Sequence, residues 1–190
     1  MSETRLSDDE RGLLLRLARE SIEAVVNDRP LPLLDSEALP ASLRELGASF
    51  VTLTEDGELR GCIGALEAYQ PLAEDVREHA VAAAQEDFRF YPVRPKEVAH
   101  IQIEISRLTQ PQPLEYESTE DLLGKLRPGI DGVILRDGLR RATFLPQVWE
   151  KLPDKEAFLS HLCAKMGAAE NAWRKKKLTV LTYQVEEFHE

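Results

Sequence analysis

Cysteine and histidine are scarce in this chain. Cys62 and Cys163 are the only cysteines among 190 residues, and neither belongs to a CxxC pair. Such a chain has no disulfide framework and no cysteine-based zinc motif. The four histidines lack the spacing of metal ligands as well. We therefore expect no metal site, and a reducing cytoplasm is the simplest location for the protein.

Long apolar runs and positive charge are also lacking. No run approaches the ~18–20 apolar residues that span a bilayer, and no secretory signal follows Met1, so no membrane segment is expected. The formal charge is −10, with 24 basic against 34 acidic residues, which opposes binding to nucleic acid. The basic run Arg174–Lys177 is interpreted as a solvated surface. No glycine-rich phosphate loop occurs, so no cofactor is predicted.

Apolar spacing and capping residues predict several helices. Ser7-Asp8-Asp9-Glu10 has the form of a capping box and begins a helix over 8–27. Pro71 begins a second long helix over 71–86. Shorter helices are predicted at 40–46, from Ser118 to about Lys125, and from Asp154 to about Met166.

Two hairpins are predicted around Asp-Gly turns. The first joins Ser49–Thr54 to Leu59–Ala65, and the second joins Gly132–Arg136 to Leu139–Leu145. Single strands are expected over 98–108 and 178–188. Strands and helices in this mixture predict an α+β fold, a mainly antiparallel sheet flanked by helices.

The second arm of the first hairpin carries the hexapeptide Leu-Arg-Gly-Cys-Ile-Gly, residues 59–64. Alternation along a strand predicts that Arg60 and Cys62 share a face, about 7 Å apart. A two-residue loop would place Val51 opposite Cys62 and Leu53 opposite Arg60. Both strand faces would then be covered, and Arg60 would need a carboxylate or carbonyl partner.

The order of several motifs resembles the AMMECR-type domain family, also called AmmeMemoRadiSam system protein A. The motifs are LRGCIG at 59–64, DFRF with PV at 87–93, IEIS at 103–106, DGVIL at 131–135, FLPQV at 144–148, FL at 158–159, LCxK at 162–165 and Trp173. Two positions depart from the family pattern: Phe88 stands where proline is common, and Met166 where alanine is common. The resemblance covers nearly the whole chain.

The resemblance implies a single domain over residues 1–190. This domain would contain a larger and a smaller subdomain with discontinuous boundaries and a cleft between them. The resemblance also implies association with a Memo-like protein and a radical-SAM enzyme. It supplies no established reaction.

Each candidate site residue has two interpretations. Cys62 is either a nucleophile with Arg60 as its anion binder, or a small buried residue. Gly61 and Gly64 either admit a ligand or mark a bulge or a tight contact between helix and sheet.

The other candidates are polar. Arg60, Asp87, Arg89 and Glu104 form either a functional cluster in the cleft or a structural ion-pair network. Gln147 either points its carboxamide into the cleft or caps a backbone group.

Two functions follow as hypotheses. The protein is either an accessory or binding protein that acts with partner enzymes, or an enzyme that modifies a small molecule, protein or nucleic acid through Cys62. No complete set of nucleophile, base and orienting group is visible in the sequence, which favours the first hypothesis.

Overall fold

The computed structural model describes residues 5–190, which divide into two compact units. Unit 1 comprises residues up to Thr109 together with Glu186–Glu190, and unit 2 comprises Gln110–Val185. Each unit contains one antiparallel sheet and its own helices. The predicted α+β class is confirmed, whereas the cleft between the two parts stays a prediction.

The sheet of unit 1 has the strand order β2-β1-β4-β9, with the short β3 paired to the start of β1. The strands are β1 (Leu46–Glu55), β2 (Glu58–Gly64), β3 (Gln70–Pro71), β4 (Ile101–Leu108) and β9 (Val185–His189). β2 is therefore an edge strand, and it carries the LRGCIG hexapeptide.

The helices of unit 1 are α1 (Asp8–Val26), α2 (Ala41–Arg44) and α3 (Leu72–Gln85), with a 3-10 turn at Val98–His100. The predicted capping box begins α1: Ser7 Oγ accepts the Glu10 N–H at 3.3 Å, and Glu10 Oε2 accepts the Ser7 N–H at 2.7 Å. Apolar residues of α1 and α3 share one core with Val51 and Leu53 of β1. This core anchors one face of the sheet.

The first hairpin turns where the sequence predicts. Asp56 and Gly57 both have positive φ, 52° and 82°, as in the tight turns that suit twisted strands. Glu55 pairs with Glu58 across the turn.

The predicted register is wrong beyond the turn. A bulge between Leu53 and Thr54 shifts the pairing by one, so Leu53 lies opposite Gly61 rather than Arg60. Arg60 is the extra residue on its strand. Such a bulge leaves no signature in the alternation of polar and apolar residues.

The shift also changes the neighbours of Cys62. Val51, predicted to lie opposite Cys62, pairs with Ile63, and these two apolar residues pack in the core. Cys62 lies opposite Thr52, whose Oγ1 donates to its Sγ at 3.3 Å. Because side chains alternate along β1, Cys62 faces away from the core that Val51 enters.

Unit 2 has the strand order β5-β8-β6-β7. Its strands are β5 (Gln112–Pro113), β6 (Gly132–Asp137), β7 (Arg140–Phe144) and β8 (Thr179–Tyr183), and its helices are α4 (Thr119–Lys125), α5 (Lys155–Lys165) and α6 (Ala172–Lys175), with a 3-10 turn at Pro146–Glu150. Both tryptophans of the chain are buried in unit 2. Trp149 stacks on Phe158, with ring centroids 3.6 Å apart, and Trp173 is buried.

The single strand predicted over 178–188 is wrong. Residues 179–183 form β8 in the sheet of unit 2, while 185–189 form β9 in the sheet of unit 1. No glycine or proline stands between these strands, so the sequence lacks the usual signal for a break. The two hairpins likewise lie in different sheets. No helix within residues 5–190 is long and apolar enough to cross a membrane.

Candidate functional site at the edge of the first sheet

Asp87 is bonded to the strand that carries the hexapeptide. Its Oδ2 accepts the backbone N–H of Cys62 at 2.8 Å and the Nη2 of Arg89 at 2.6 Å. Its Oδ1 accepts the Arg89 backbone N–H at 3.2 Å and Nε at 2.9 Å. Arg89 Nη2 in turn donates to the Cys62 carbonyl at 3.2 Å. Asp87 and Arg89 thus hold both backbone polar groups of one residue on an edge strand.

The charge of Asp87 is stabilised by these bonds. Its side chain is only 2% exposed, whereas that of Arg89 is 46% exposed. The hydrogen bonds from the Arg89 side chain hold the pKa of the Asp87 carboxyl well below its usual range, against the opposing effect of burial. The carboxylate is therefore ionised and bonded at neutral pH.

Arg60 has a different partner from the one that the candidate cluster predicted. Its Nε donates to Glu97 Oε1 at 3.0 Å, and both side chains are largely buried, at 14% and 19% exposed. Glu97 Oε2 also accepts the backbone N–H of Arg94 at 2.8 Å. Burial raises the pKa of Glu97, but the bond from Arg60 and that from the Arg94 backbone outweigh it and lower the pKa overall.

The four residues of the candidate cluster therefore do not form one network. Asp87 pairs with Arg89, and Arg60 pairs with Glu97. Glu104 lies on β4 directly opposite Thr52. Within residues 5–190 its side chain forms neither a hydrogen bond nor an ion pair.

The Cys62 thiol is half-buried and has a hydroxyl as its neighbour. The bond from Thr52 is the one hydrogen bond that its Sγ forms within the described chain. A nucleophilic thiol ordinarily needs a general base or a strong positive field beside it. In residues 5–190 no histidine or carboxylate is bonded to this sulfur, and the positive charge beside it is that of Arg89, which is engaged by Asp87.

The two glycines of the hexapeptide are explained by packing. A Cβ on Gly61 would lie 2.2 Å from the carbonyl oxygen of Ala83 on α3. A Cβ on Gly64 would lie 2.4 Å from the ring of Phe50. Gly61 therefore lets α3 approach β2, the tight contact between helix and sheet that was one of its two interpretations.

A surface cleft of about 550 Å³ lies beside Arg60, and all its lining residues belong to unit 1. This Arg60 cleft is lined by Glu55, Arg60, Arg89, Phe90, Tyr91, Pro92, Arg94, Lys96 and Glu97. Four of these side chains are basic and two are acidic. The lining is thus cationic in a chain whose formal charge is −10. Neither Cys62 nor Asp87 lines it.

The segment of residues 88–96 supplies most of the lining. It is fixed near its ends, where Asp87 bonds to Cys62 and the Val93 N–H donates to the Ala84 carbonyl at 2.8 Å. Between these points Phe88 and Tyr91 are 95% and 86% exposed. The segment therefore presents two large aromatic side chains to solvent from a fixed backbone.

Sequence reasoning missed Arg94, Lys96 and Glu97. Their density of charge directly after the aromatic run 88–91 is a signal that could have identified them. Gln147, a predicted candidate, is exposed in the 3-10 turn of unit 2.

A buried polar cluster was also missed. Asp75 Oδ2 accepts the Ser49 hydroxyl at 2.6 Å and lies 3.1 Å from His79 Nδ1, with Ser49 and Asp75 fully buried. These bonds join α3 to β1. The spacing of Asp75 and His79, four residues apart on a helix, places them on one helix face.

Two of the four residues of the basic run 174–177 form ion pairs within unit 2. Arg174 forms an ion pair with Glu156, and Lys176 Nζ lies 2.6 Å from Asp137 Oδ2. Lys177 Nζ lies 5.5 Å from the centre of the Tyr116 ring.

No three His, Cys, Asp or Glu side chains of the described chain come together as a set that could hold a metal ion. The side chains of the Arg60 cleft that form no hydrogen bond or ion pair within residues 5–190 include the cationic Arg94 and Lys96 and the aromatic Tyr91. They suit the binding of an anionic ligand more than acid–base chemistry.

Comparison with known protein families gives a match over most of the chain. The family model described as AMMECR1 matches residues 15–188. A protein from Thermofilum pendens is 40% identical over 203 residues, covering 98% of this chain and 92% of its own length. A protein from Methanothermobacter thermautotrophicus is 40% identical and covers 97% of this chain and 96% of its own length.

A solved structure is similar over the same extent. The crystal structure of the uncharacterized protein PH0010 from Pyrococcus horikoshii gives a TM-score of 0.78 at 32% sequence identity. The match covers 97% of this chain and 93% of that one. The similarity therefore extends through both units.

Proposed function

The chain belongs to the AMMECR1 family, and we propose that it is an accessory protein that binds partner proteins through unit 1. Its binding surface is the 88–96 segment together with the Arg60 cleft. The hexapeptide supports this surface from beneath and does not itself react.

One observation carries the proposal: Arg60 and the Cys62 backbone are engaged, while in the neighbouring segment the side chains of Arg94 and Lys96 form no bond within residues 5–190 and Phe88 and Tyr91 are exposed. The Cys62 backbone is bonded to Asp87 and Arg89, and Arg60 is bonded to Glu97. Exposed aromatic residues on a fixed backbone are typical of surfaces that bind other proteins.

The partners that we propose are a Memo-like protein and a radical-SAM enzyme, in the cytoplasm. The support for them is the family resemblance, whose motifs run in order from residue 59 to residue 173. The geometry of unit 1 supports binding in general and is independent of the identity of these partners.

The test is capture of the purified Memo-like and radical-SAM proteins from the same organism on the immobilised full chain. Tyr91→Ala should weaken capture about tenfold, because exposed tyrosines at interfaces often dominate binding. Leu139→Ala is the matched control, since Leu139 is a fully exposed apolar side chain in unit 2. If wild type and Tyr91→Ala alike capture neither partner, the proposal is wrong.

The alternative function is an enzyme with Cys62 as nucleophile and Arg60 as anion binder. It requires a reactive thiol, and the labelling experiment described in the Discussion tests that requirement directly. Engagement of Arg60 by Glu97 favours the binding function over this alternative.

A further inference from the structure

We propose that the Arg60 cleft and the 88–96 segment bind an acidic, extended peptide segment of a partner protein. Carboxylates of the peptide would pair with Arg94 and Lys96, and an apolar side chain would pack on Tyr91. This inference rests on the proposed function and specifies what kind of partner segment the surface accepts.

The Arg60 cleft contains basic side chains that have no partner within residues 5–190. Arg94 and Lys96 line the cleft, are exposed, and form no side-chain hydrogen bond or ion pair within residues 5–190. The Arg60 side chain bonds to Glu97 through Nε and forms no other hydrogen bond in that range. Several guanidinium and ammonium donors thus remain for carboxylates, which guanidinium groups bind with matching geometry.

The charge of the cleft lining is opposite in sign to the net charge of the chain. The formal charge of the chain is −10, yet the cleft lining has four basic and two acidic side chains. The net charge of the chain would repel an acidic peptide, whereas the basic side chains of this cleft would attract it. Complementary charge of this kind directs a partner to one place and favours its association rate.

The 88–96 segment also offers exposed aromatic side chains to a ligand. Tyr91 lines the cleft, whereas the more exposed Phe88 lies on the same segment but outside the lining. The exposed aromatic side chains of this segment are therefore not confined to the cleft. A peptide in extended conformation can contact both the cationic cleft and the aromatic side chains.

Overall charge favours a peptide over a nucleic acid. A nucleic-acid strand carries one negative charge per nucleotide and would be repelled by the acidic surface around the cleft. A short peptide places a few carboxylates at the cleft and offers apolar side chains to Tyr91. The experiment must therefore also be able to detect binding of a nucleic acid.

The experiment measures fluorescence anisotropy of labelled probes with the full chain. The probes are a synthetic peptide of alternating Glu and Leu with one Phe, the same peptide with Lys in place of Glu, and an oligouridine of equal length. The acidic peptide should bind, and more weakly as salt screens the charges. The Arg94→Glu, Lys96→Glu double variant should weaken binding about tenfold or more, because two attractions become repulsions.

The matched control is the Lys151→Glu, Lys175→Glu double variant. It makes the same charge change at two exposed lysines of unit 2 and should leave peptide affinity within about twofold. Equal weakening by this control would show that net charge alone governs binding, and would overturn the inference.

Two further results would overturn it. Tighter binding of the oligouridine, lost in the Arg94→Glu, Lys96→Glu variant, would assign the surface to nucleic acid. Failure of every probe to bind would exclude the acidic peptide. The proposed function is separable from both, because it fails only if the partner proteins are not captured by wild type.

Discussion

Asp87 Oδ2 accepts the backbone N–H of Cys62 at 2.8 Å, although the two residues are 25 positions apart. Arg89, held by the same carboxylate, donates to the Cys62 carbonyl. The outer edge of β2 is therefore occupied at this residue. An unpaired strand edge can pair with another chain, and the loop after α3 prevents this at Cys62.

Asp87→Asn should lower the free energy of unfolding by about 2 kcal/mol at pH 7, a value kept modest because Arg89 is half-exposed. The pKa of Asp87 is depressed in the folded protein. The ionised carboxylate therefore stabilises the fold fully above 3.8, the ordinary pKa that the unfolded chain has. This stabilisation is lost as the pH falls through the lower pKa of the folded protein. Urea unfolding between neutral and acidic pH should show the difference from wild type shrinking below about pH 4.

The control for Asp87 is Asp121→Asn, which removes a carboxylate paired with Lys125 on the surface of α4. Asp121 Oδ2 also accepts the Glu117 N–H at 3.0 Å, but exposed pairs of this kind contribute little, so stability should fall less than in Asp87→Asn. A difference for Asp87→Asn that stays constant down to the lowest pH would contradict the role of the ionised carboxylate.

Gly61→Ala should destabilise unit 1 by about 1–3 kcal/mol, since the added methyl group would meet the Ala83 carbonyl oxygen at 2.2 Å and force α3 outward. Thermal unfolding followed by circular dichroism would measure this. Gly124→Ala is the matched control, because a Cβ there meets nothing within 4 Å. In helix α4 it should be neutral or stabilising by up to about 1 kcal/mol. Equal stability of the two variants would contradict close packing at Gly61.

Native Cys62 should react slowly with iodoacetamide near neutral pH, because its half-buried sulfur has no base bonded to it in the described chain. Cys163 should remain unlabelled until the protein unfolds, since burial raises the pKa of its thiol. Mass spectrometry of labelled peptides, with and without urea, would measure both rates. Rapid labelling of native Cys62, absent in Cys62→Ser, would instead support the enzyme alternative.

Local signals in the sequence predicted local structure well. The capping box at Ser7 and Glu10 begins α1, and the positive φ of Asp56 and Gly57 gives the expected tight turn. Ser118 and Asp154 likewise cap the helices predicted after them. Each of these features depends on residues within about four positions of one another, which the sequence displays directly.

Features that depend on distant residues were not predictable in this way. The pairing of Arg60 with Glu97 joins residues 37 positions apart, and many carboxylates in the chain could have served. The bulge at Arg60 arises where β2 must pair with β1 while α3 packs over Gly61. Both depend on tertiary packing, which a single sequence does not encode in any short pattern.

The position of β9 affects how the protein is made. This strand joins the sheet of unit 1 but follows all of unit 2 in the chain. Glu186 on β9 bonds to Arg11 of α1 and to Arg107 of β4. During synthesis, α1 and the first strands therefore leave the ribosome long before their last partner does. Only Gln184 separates β8 from β9, so both sheets receive their last strand almost together, and unit 1 must remain open at one edge until β9 has left the ribosome.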